Sequence, residues 1–321
     1  RPVRHTVITQ QGMKFGSHVN SFDVFARSTA VREVATDAIT GTPLPERIEL
    51  IGYSDYTPTW TVGLAKSKQY SGQPQKTFEI TYHPTRAMPT ELRSFGRLAE
   101  SYTYNAVGTL ATVKDGRNNI TTLSNWYRGV PRTVLFADLT SVSATLDSYG
   151  SITSVTDELG FSTSYSHDAM GRVSQITYPI GDTVAWAPTT VNFVPVAATE
   201  YGIPPGHWRQ TVSRGNYRKE TYYDGLWRPV LEREYDNAAA TATQRFKGWQ
   251  YDLDGQVTFA GYPRATATSV ASFTEGVTNT YDYLGRPTRV RQHSELGNLD
   301  TVYAYLSGFE TQVTNPRLQV T

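Results

Sequence analysis

Apolar and polar residues alternate along this chain in short runs, and each run is broken by a tight polar corner. Tyr102 and Tyr104 precede one such corner and Leu110 and Thr112 follow it. A period of two is the signature of half-buried strands, and strands joined by corners of this kind predict antiparallel hairpins. The corner itself recurs as Asp or Asn, two free residues, Gly, and then a renewed strand. It stands at Asn105 to Gly108, Asp147 to Gly150, Asp157 to Gly160, Asp168 to Gly171, Asp252 to Gly255 and Asp282 to Gly285. Asp at the first position of a type I turn accepts a backbone N–H, and Gly at the fourth takes positive φ at little cost, so each corner predicts a hairpin with a bulge. A seventh copy, Asp224-Gly-Leu-Trp227-Arg228, puts Trp where Gly is expected. Because Trp does not take positive φ cheaply, that turn is expected to differ, with Gly225 used instead.

Further hairpin signals fall at Ser71-Gly72, Asp115-Gly116, Arg214-Gly215-Asn216, Gly297-Asn298 and Ser307-Gly308. The steps of 10 and 11 residues between Gly150, Gly160 and Gly171 fit one strand of about six residues plus a turn. On this pattern residues 94–321 form the repeat proper, and residues 1–93 are strand-rich with degenerate repeats. Within 1–93, Ser28 to Ala38 also carries a short helical reading. Excursions are expected near 184–207, which holds Pro188, Pro195, Pro204 and Pro205, and near 238–246, because Pro removes ladder donors and alternation lapses.

Composition sharpens the fold class. Charged residues make up 18% against about 25% in typical domains, and 44 of the 321 residues are Thr. Thr, Tyr, Val and Trp suit a pleated, half-buried surface. The expected class is therefore all-β: repeated antiparallel β-hairpins in a continuous curved sheet. With a formal net charge of +1 there is no excess to draw the chain to nucleic acid or an anionic membrane. No run approaches the 18 apolar residues of a membrane span, and the absence of Cys removes disulfides, thiolate catalysis and Cys-type zinc sites. The chain starts at Arg1 without Met and stops inside a strand-like pattern, so a fragment of a longer chain is expected.

The repeated Tyr-Asp pairs followed by Gly, in Tyr281-Asp282-Tyr-Leu-Gly285-Arg286 and Tyr251-Asp252-Leu-Asp-Gly255, resemble the Rhs or YD-repeat family. Ser101 to Thr122, Thr145 to Pro179, Glu220 to Asp236, Thr280 to Gln292 and Trp60-Thr-Val-Gly63-Leu look similar. The resemblance implies a sheet that spirals into a hollow shell, as in bacterial Rhs polymorphic toxins, shell subunits of insecticidal toxin complexes and teneurins. It further implies a secreted or cell-surface protein whose partners are the remaining shell repeats and its own C-terminal effector module, which the shell encloses, shields or presents. Members that release a cargo carry a C-terminal segment with catalytic aspartates, and no such aspartate-rich segment is present here, so no self-cleaving activity is carried over.

Candidate chemistry is sparse. No G-x-S-x-G elbow, H-E-x-x-H or phosphate-binding glycine string is present, and His5, His18, His83, His167, His207 and His293 are never closer than 13 positions. Asp168, Asp224, Asp252 and Asp282 read as turn residues rather than acid–base groups, since a carboxylate that recurs at one turn position does the same work in each copy. Asp252-Leu-Asp254-Gly255 resembles the start of a calcium loop but lacks its later ligands. Arg172, Arg228 and Arg286 follow their turns directly and are expected to stack on a neighbouring Tyr or to pair with a motif Asp across adjacent hairpins. No cofactor, metal or catalytic site is expected. The alternative to a structural shell is a carbohydrate-binding or adhesive surface, because Trp60, Trp126, Trp186, Trp208, Trp227, Trp249 and 21 Tyr can form sugar-stacking platforms. Valine at Gly285 is expected to strain the chain, and a change at Gly202, outside the repeats, to be milder.

Overall fold

The computed structural model describes residues 4–10, 13–37, 39–306 and 310–321. Among the described residues it holds 25 strands, one four-residue helix (Ala240–Thr243) and three single 3-10 turns. The fold is all-β and antiparallel. Contacts divide the chain into two compact units, Arg1–Gly150 with Thr156–Gly160, and Ser151–Val155 with Phe161–Thr321.

In the first unit every strand from His5–Gln10 to Ser141–Leu146 pairs antiparallel with the next along the chain. Ser28–Asp37, for which a helix was one reading, is a strand lying along Met13–Phe22, with Lys14 opposite Thr36 and His18 opposite Arg32. Its β-branched Thr29, Val31, Val34 and Thr36 favour a pleated surface over a helix, and the neighbouring ladder supplies the hydrogen bonds. Ala38, the last residue of that reading, lies outside the described residues.

The second unit is also a meander, running from Ser162–His167 to Thr311–Thr314. In a meander every second connection falls at the same end of the strands. Residues 168–172, 196–207, 224–228, 252–256 and 282–286 therefore share one end, so the step from Asp224 to Asp252 to Asp282 spans two strands and two connections. Thr189–Pro195 lies inside the segment expected to leave the repeat, yet it pairs over all seven residues with Trp208–Arg214. Pro188 precedes that strand and Pro195 ends it, so no donor is lost from its middle. In this unit the chain departs from the ladder at 178–188, which includes the start of the expected excursion, at 196–207, at 237–244, and again at 262–275, which the sequence did not single out. The Ser307-Gly308 signal lies outside the described residues.

Two of these departures, 196–207 and 262–275, build the core. Tyr222 and Leu231 are register partners, Leu231 lies opposite Gly248, and Phe246 lies opposite Arg233. Ile203 from one departing segment and Phe273 from another close over Tyr222, Leu231 and Phe246, and all five are buried. The two segments are tied by Val270 N–H donating to the Tyr201 carbonyl at 3.1 Å. Gly248 and Gly261 leave room for the Phe273 ring, since a Cβ on either would come within 2.7 and 2.5 Å of it.

Candidate functional site

The recurring corners form one geometry. At Asp168, Gly171 N–H donates to the Asp168 carbonyl at 2.9 Å and Asp168 N–H to the Arg172 carbonyl at 2.8 Å. The Asp168 Oδ1 accepts from the Met170 and Arg172 backbone at 2.9 and 3.0 Å, and Oδ2 accepts from Arg172 Nε at 2.7 Å. Asp282 and Arg286 repeat this arrangement, with Gly285 at φ +78°. Asn105, Asp147, Asp157 and Asp252 each receive the closing N–H of Gly108, Gly150, Gly160 and Gly255 at 3.0–3.2 Å, all four glycines at positive φ. At the turns after Tyr104, His167, Tyr223, Tyr251 and Tyr281 the strand register slips by a residue, which marks a bulge.

The Asp224 turn was expected to differ, and it does not. Trp227 itself takes φ +64° and donates to the Asp224 carbonyl at 3.1 Å, while Gly225 stays out of the left-handed region. Stacking of the Trp227 ring on Phe193 and Trp208, at 5.5 and 5.2 Å between centroids, offsets the strain of a bulky residue there.

The turn arginines form ion pairs with the Asp of their own turn, four residues back, and Arg228 alone of the three also reaches a motif Asp of the adjacent hairpin, its Nη1 donating to the Asp252 carbonyl at 3.2 Å. The flat face of each guanidinium also reaches an aromatic ring of a neighbouring strand. Arg228 lies 4.6 Å from the Tyr251 ring centroid, Arg286 4.0 Å from Tyr305 and Arg172 4.8 Å from Phe193. The same tyrosines reach back with their hydroxyls: Tyr251 donates to the Pro229 carbonyl and Tyr305 to the Pro287 carbonyl, both at 2.8 Å. Tyr281 donates to Val257, Tyr104 to Pro89 and Tyr82 to Ala65 at 2.7–2.9 Å. In the Tyr251-Asp252 and Tyr281-Asp282 pairs the Tyr thus grips the strand leaving an earlier turn while its Asp builds its own, whereas Tyr223 turns its ring to Phe193 instead.

Two turns of this design, at Asp23 and Asn315, lack Gly and were not expected, and a third, expected at Asp115-Gly116, uses another residue as its left-handed one. Asp23 to Arg27 places Ala26 at φ +60°, pairs Arg27 with Asp23, and covers Arg27 with Tyr53 at 4.5 Å. Asp115 to Asn119 uses Asn118, not Gly116, as the left-handed residue, and Asn315 to Gln319 uses Leu318. The signal that finds them is the fifth residue: Arg27 and Asn119 donate a side-chain hydrogen bond to the first, and Gln319 accepts one from it.

At the Asp168, Asp224 and Asp282 turns, each closed by an arginine, the carboxylate is held in its charged form. The Arg172 side chain lowers the Asp168 pKa and the Arg286 backbone N–H lowers that of Asp282. Burial opposes ionisation at Asp224 most strongly, yet the backbone and side chain of Arg228 together outweigh it. Asp55, which takes two guanidinium hydrogen bonds from Arg27 and one from Gly63 N–H, is brought down to about 2. Such carboxylates are occupied acceptors. Among the described residues no three His, Asp or Glu side chains converge as a metal ion needs, Asp252 and Asp254 included, and no helix is long and apolar enough to cross a membrane. His207 is buried with Nδ1 2.9 Å from the Pro204 carbonyl oxygen and Nε2 3.3 Å from Glu200.

Residues 147–183 match the RHS repeat family. Among curated proteins none matches the chain. Among solved structures, TcdB2-TccC3-Cdc42 is similar at TM-score 0.40 and 10% identity, covering 95% of this chain and 17% of that one. The Photorhabdus luminescens Tc holotoxin pore with the TccC3 substitution D651A is similar at TM-score 0.41 and 10% identity over 94% of this chain and 18% of that one. The chain thus spans less than a fifth of the length of these structures. The matched segment begins at Asp147 and holds the Asp157 and Asp168 turns, so this part of the chain is similar to an RHS repeat.

Proposed function

We propose that the chain is a non-enzymatic wall segment of a secreted or cell-surface protein, and that the wall encloses, shields or presents a C-terminal effector module carried by the same polypeptide. The observation that carries this reading is the Tyr-to-previous-turn contact, repeated from hairpin to hairpin. A lone hairpin is marginal and leaves an unpaired edge. Lateral addition satisfies that edge, and stability becomes a sum of hairpin terms and nearest-neighbour terms, as in other repeat arrays. Such a wall grows without a dense core, which fits a chain with only five buried hydrophobic residues among those described. The occupied turn carboxylates favour scaffolding over acid–base catalysis.

The test is limited proteolysis of the wall segment joined to its downstream module. A module that resists protease in the joined protein and is cut rapidly when made alone supports enclosure or shielding. Equal cleavage rates in the two settings would exclude it.

A further inference from the structure

Trp227 occupies the position that Gly fills in the turns ending at Gly171, Gly255 and Gly285, and does so at φ +64° while the residue is 55% exposed. A bulky residue in that conformation is strained, and strain of this kind gathers at ligand-binding sites. The ring is one tile of a platform. Phe193 and Trp208 lie 5.0 Å apart and 16° from parallel, Trp227 stacks on both, and Tyr223 meets Phe193 edge-on at 5.7 Å. Register explains the clustering, since Phe193 lies opposite Gln210 and Trp208 opposite both Pro195 and Tyr223. These side chains share the sheet face opposite the one that carries Tyr222 and Leu231, so the segments that cover the core leave them open.

A groove lined by Asp168, Arg172, Phe193, Gln210, Tyr223 and Trp227 runs over the platform. Asp168 takes Arg172 Nε and Nη2, which balances charge at that end. The Gln210 carboxamide, the Tyr223 hydroxyl, the Trp227 indole N–H and Arg172 Nη1 have no hydrogen-bond partner among the described residues. An aromatic face flanked by an amide, a phenol and a charge-balanced guanidinium matches a pyranose ring, whose C–H face stacks on indole and whose hydroxyls both donate and accept. We infer that this groove binds a neutral pyranose unit of an oligosaccharide. The site is independent of whether the wall encloses a module.

The 321-residue chain is titrated with cellotriose, maltotriose, mannotriose and chitotriose, with saturation-transfer NMR and tryptophan fluorescence as readouts. Saturable binding of at least one trisaccharide is expected. Trp227→Gly installs the residue that the sister turns use, so the turn persists while the platform loses its exposed tile, and binding weakens at least tenfold. Gln210→Ala leaves every turn untouched and weakens binding severalfold. Loss in either variant supports the site. No saturable response to any of the four, or unchanged binding in both variants, overturns it.

Discussion

The Tyr251 hydroxyl donates to the Pro229 carbonyl oxygen at 2.8 Å, so a residue of one hairpin closes the exit of the turn before it. The Arg228 guanidinium fills the space between, 4.6 Å from the Tyr251 ring. Removing the hydroxyl in Tyr251→Phe is expected to destabilise the chain by about 1 kcal/mol. Tyr251→Ala, which also removes the ring beneath Arg228, is expected to cost about 2–3 kcal/mol. Urea denaturation measures both, and a Phe variant as stable as the parent would mean the hydroxyl contributes nothing.

Positive φ, not membership of the repeat, sets the cost of filling a glycine. Gly285 sits at +78°, and a Cβ there would lie 2.5 Å from Gln256 Nε2. Gly202, expected from the sequence to be the milder site, also sits at +74°, in a corner closed between Glu200 and Ile203, with the Ser269 Cβ 3.2 Å away. Valine at either position is expected to cost about 1–3 kcal/mol. Gly225→Ala, in open space at ordinary φ, is expected to stay within about 0.5 kcal/mol of the parent. Thermal or urea unfolding of the three variants separates these outcomes.

Acid should weaken the turns. The Arg27 guanidinium, and then Gly63 N–H, hold the Asp55 pKa at about 2, below the unfolded value of about 4. A depressed folded-state pKa contributes stability that is present above the unfolded value and is lost as pH falls through the folded one. The melting temperature is therefore expected to fall between about pH 4 and pH 2. Asp55→Asn keeps an acceptor for Gly63 but loses the charge facing Arg27, so it should melt lower at pH 7 and depend less on pH in that window. Parallel pH profiles for the two proteins would contradict the assignment.

The core rests on two glycines and a ring. A Cβ at Gly248 would stand 2.7 Å from Phe273, so Gly248→Ala must push that ring out of the cluster. The expected loss is about 1–3 kcal/mol, whereas Leu231→Ala, at a fully buried position, is expected to lose about 2–5 kcal/mol. Near-ultraviolet circular dichroism should report the displaced ring in the Gly248 variant.

The strands and the Asp-to-Gly corners are legible in the chain because both are local: alternation needs only neighbours, and an Asp side chain caps backbone N–H groups two and four residues ahead. Reading Gly as the obligatory fourth residue hid the turns at Asp23 and Asn315, where Ala26 and Leu318 take positive φ and the fifth residue closes the ring of hydrogen bonds. The same rule misplaced Trp227, whose conformation depends on Phe193, 34 positions away. The core was not legible for a like reason. Ile203 and Phe273 come from irregular segments 70 positions apart, and no local pattern marks either as the cover for Leu231. What makes Tyr-Asp a unit, the Tyr reaching to an earlier turn, is likewise a relation between hairpins.

The central claim is that Tyr251, like Tyr281 and Tyr305, stabilises the turn behind it. Hydrogen exchange in Tyr251→Phe tests this amide by amide. The account predicts that the Leu226, Trp227 and Arg228 amides, held by Asp224, exchange about fivefold faster while the Leu284 and Arg286 amides keep their rates. Unchanged rates at 226–228, or an equal acceleration at 284–286, would contradict it.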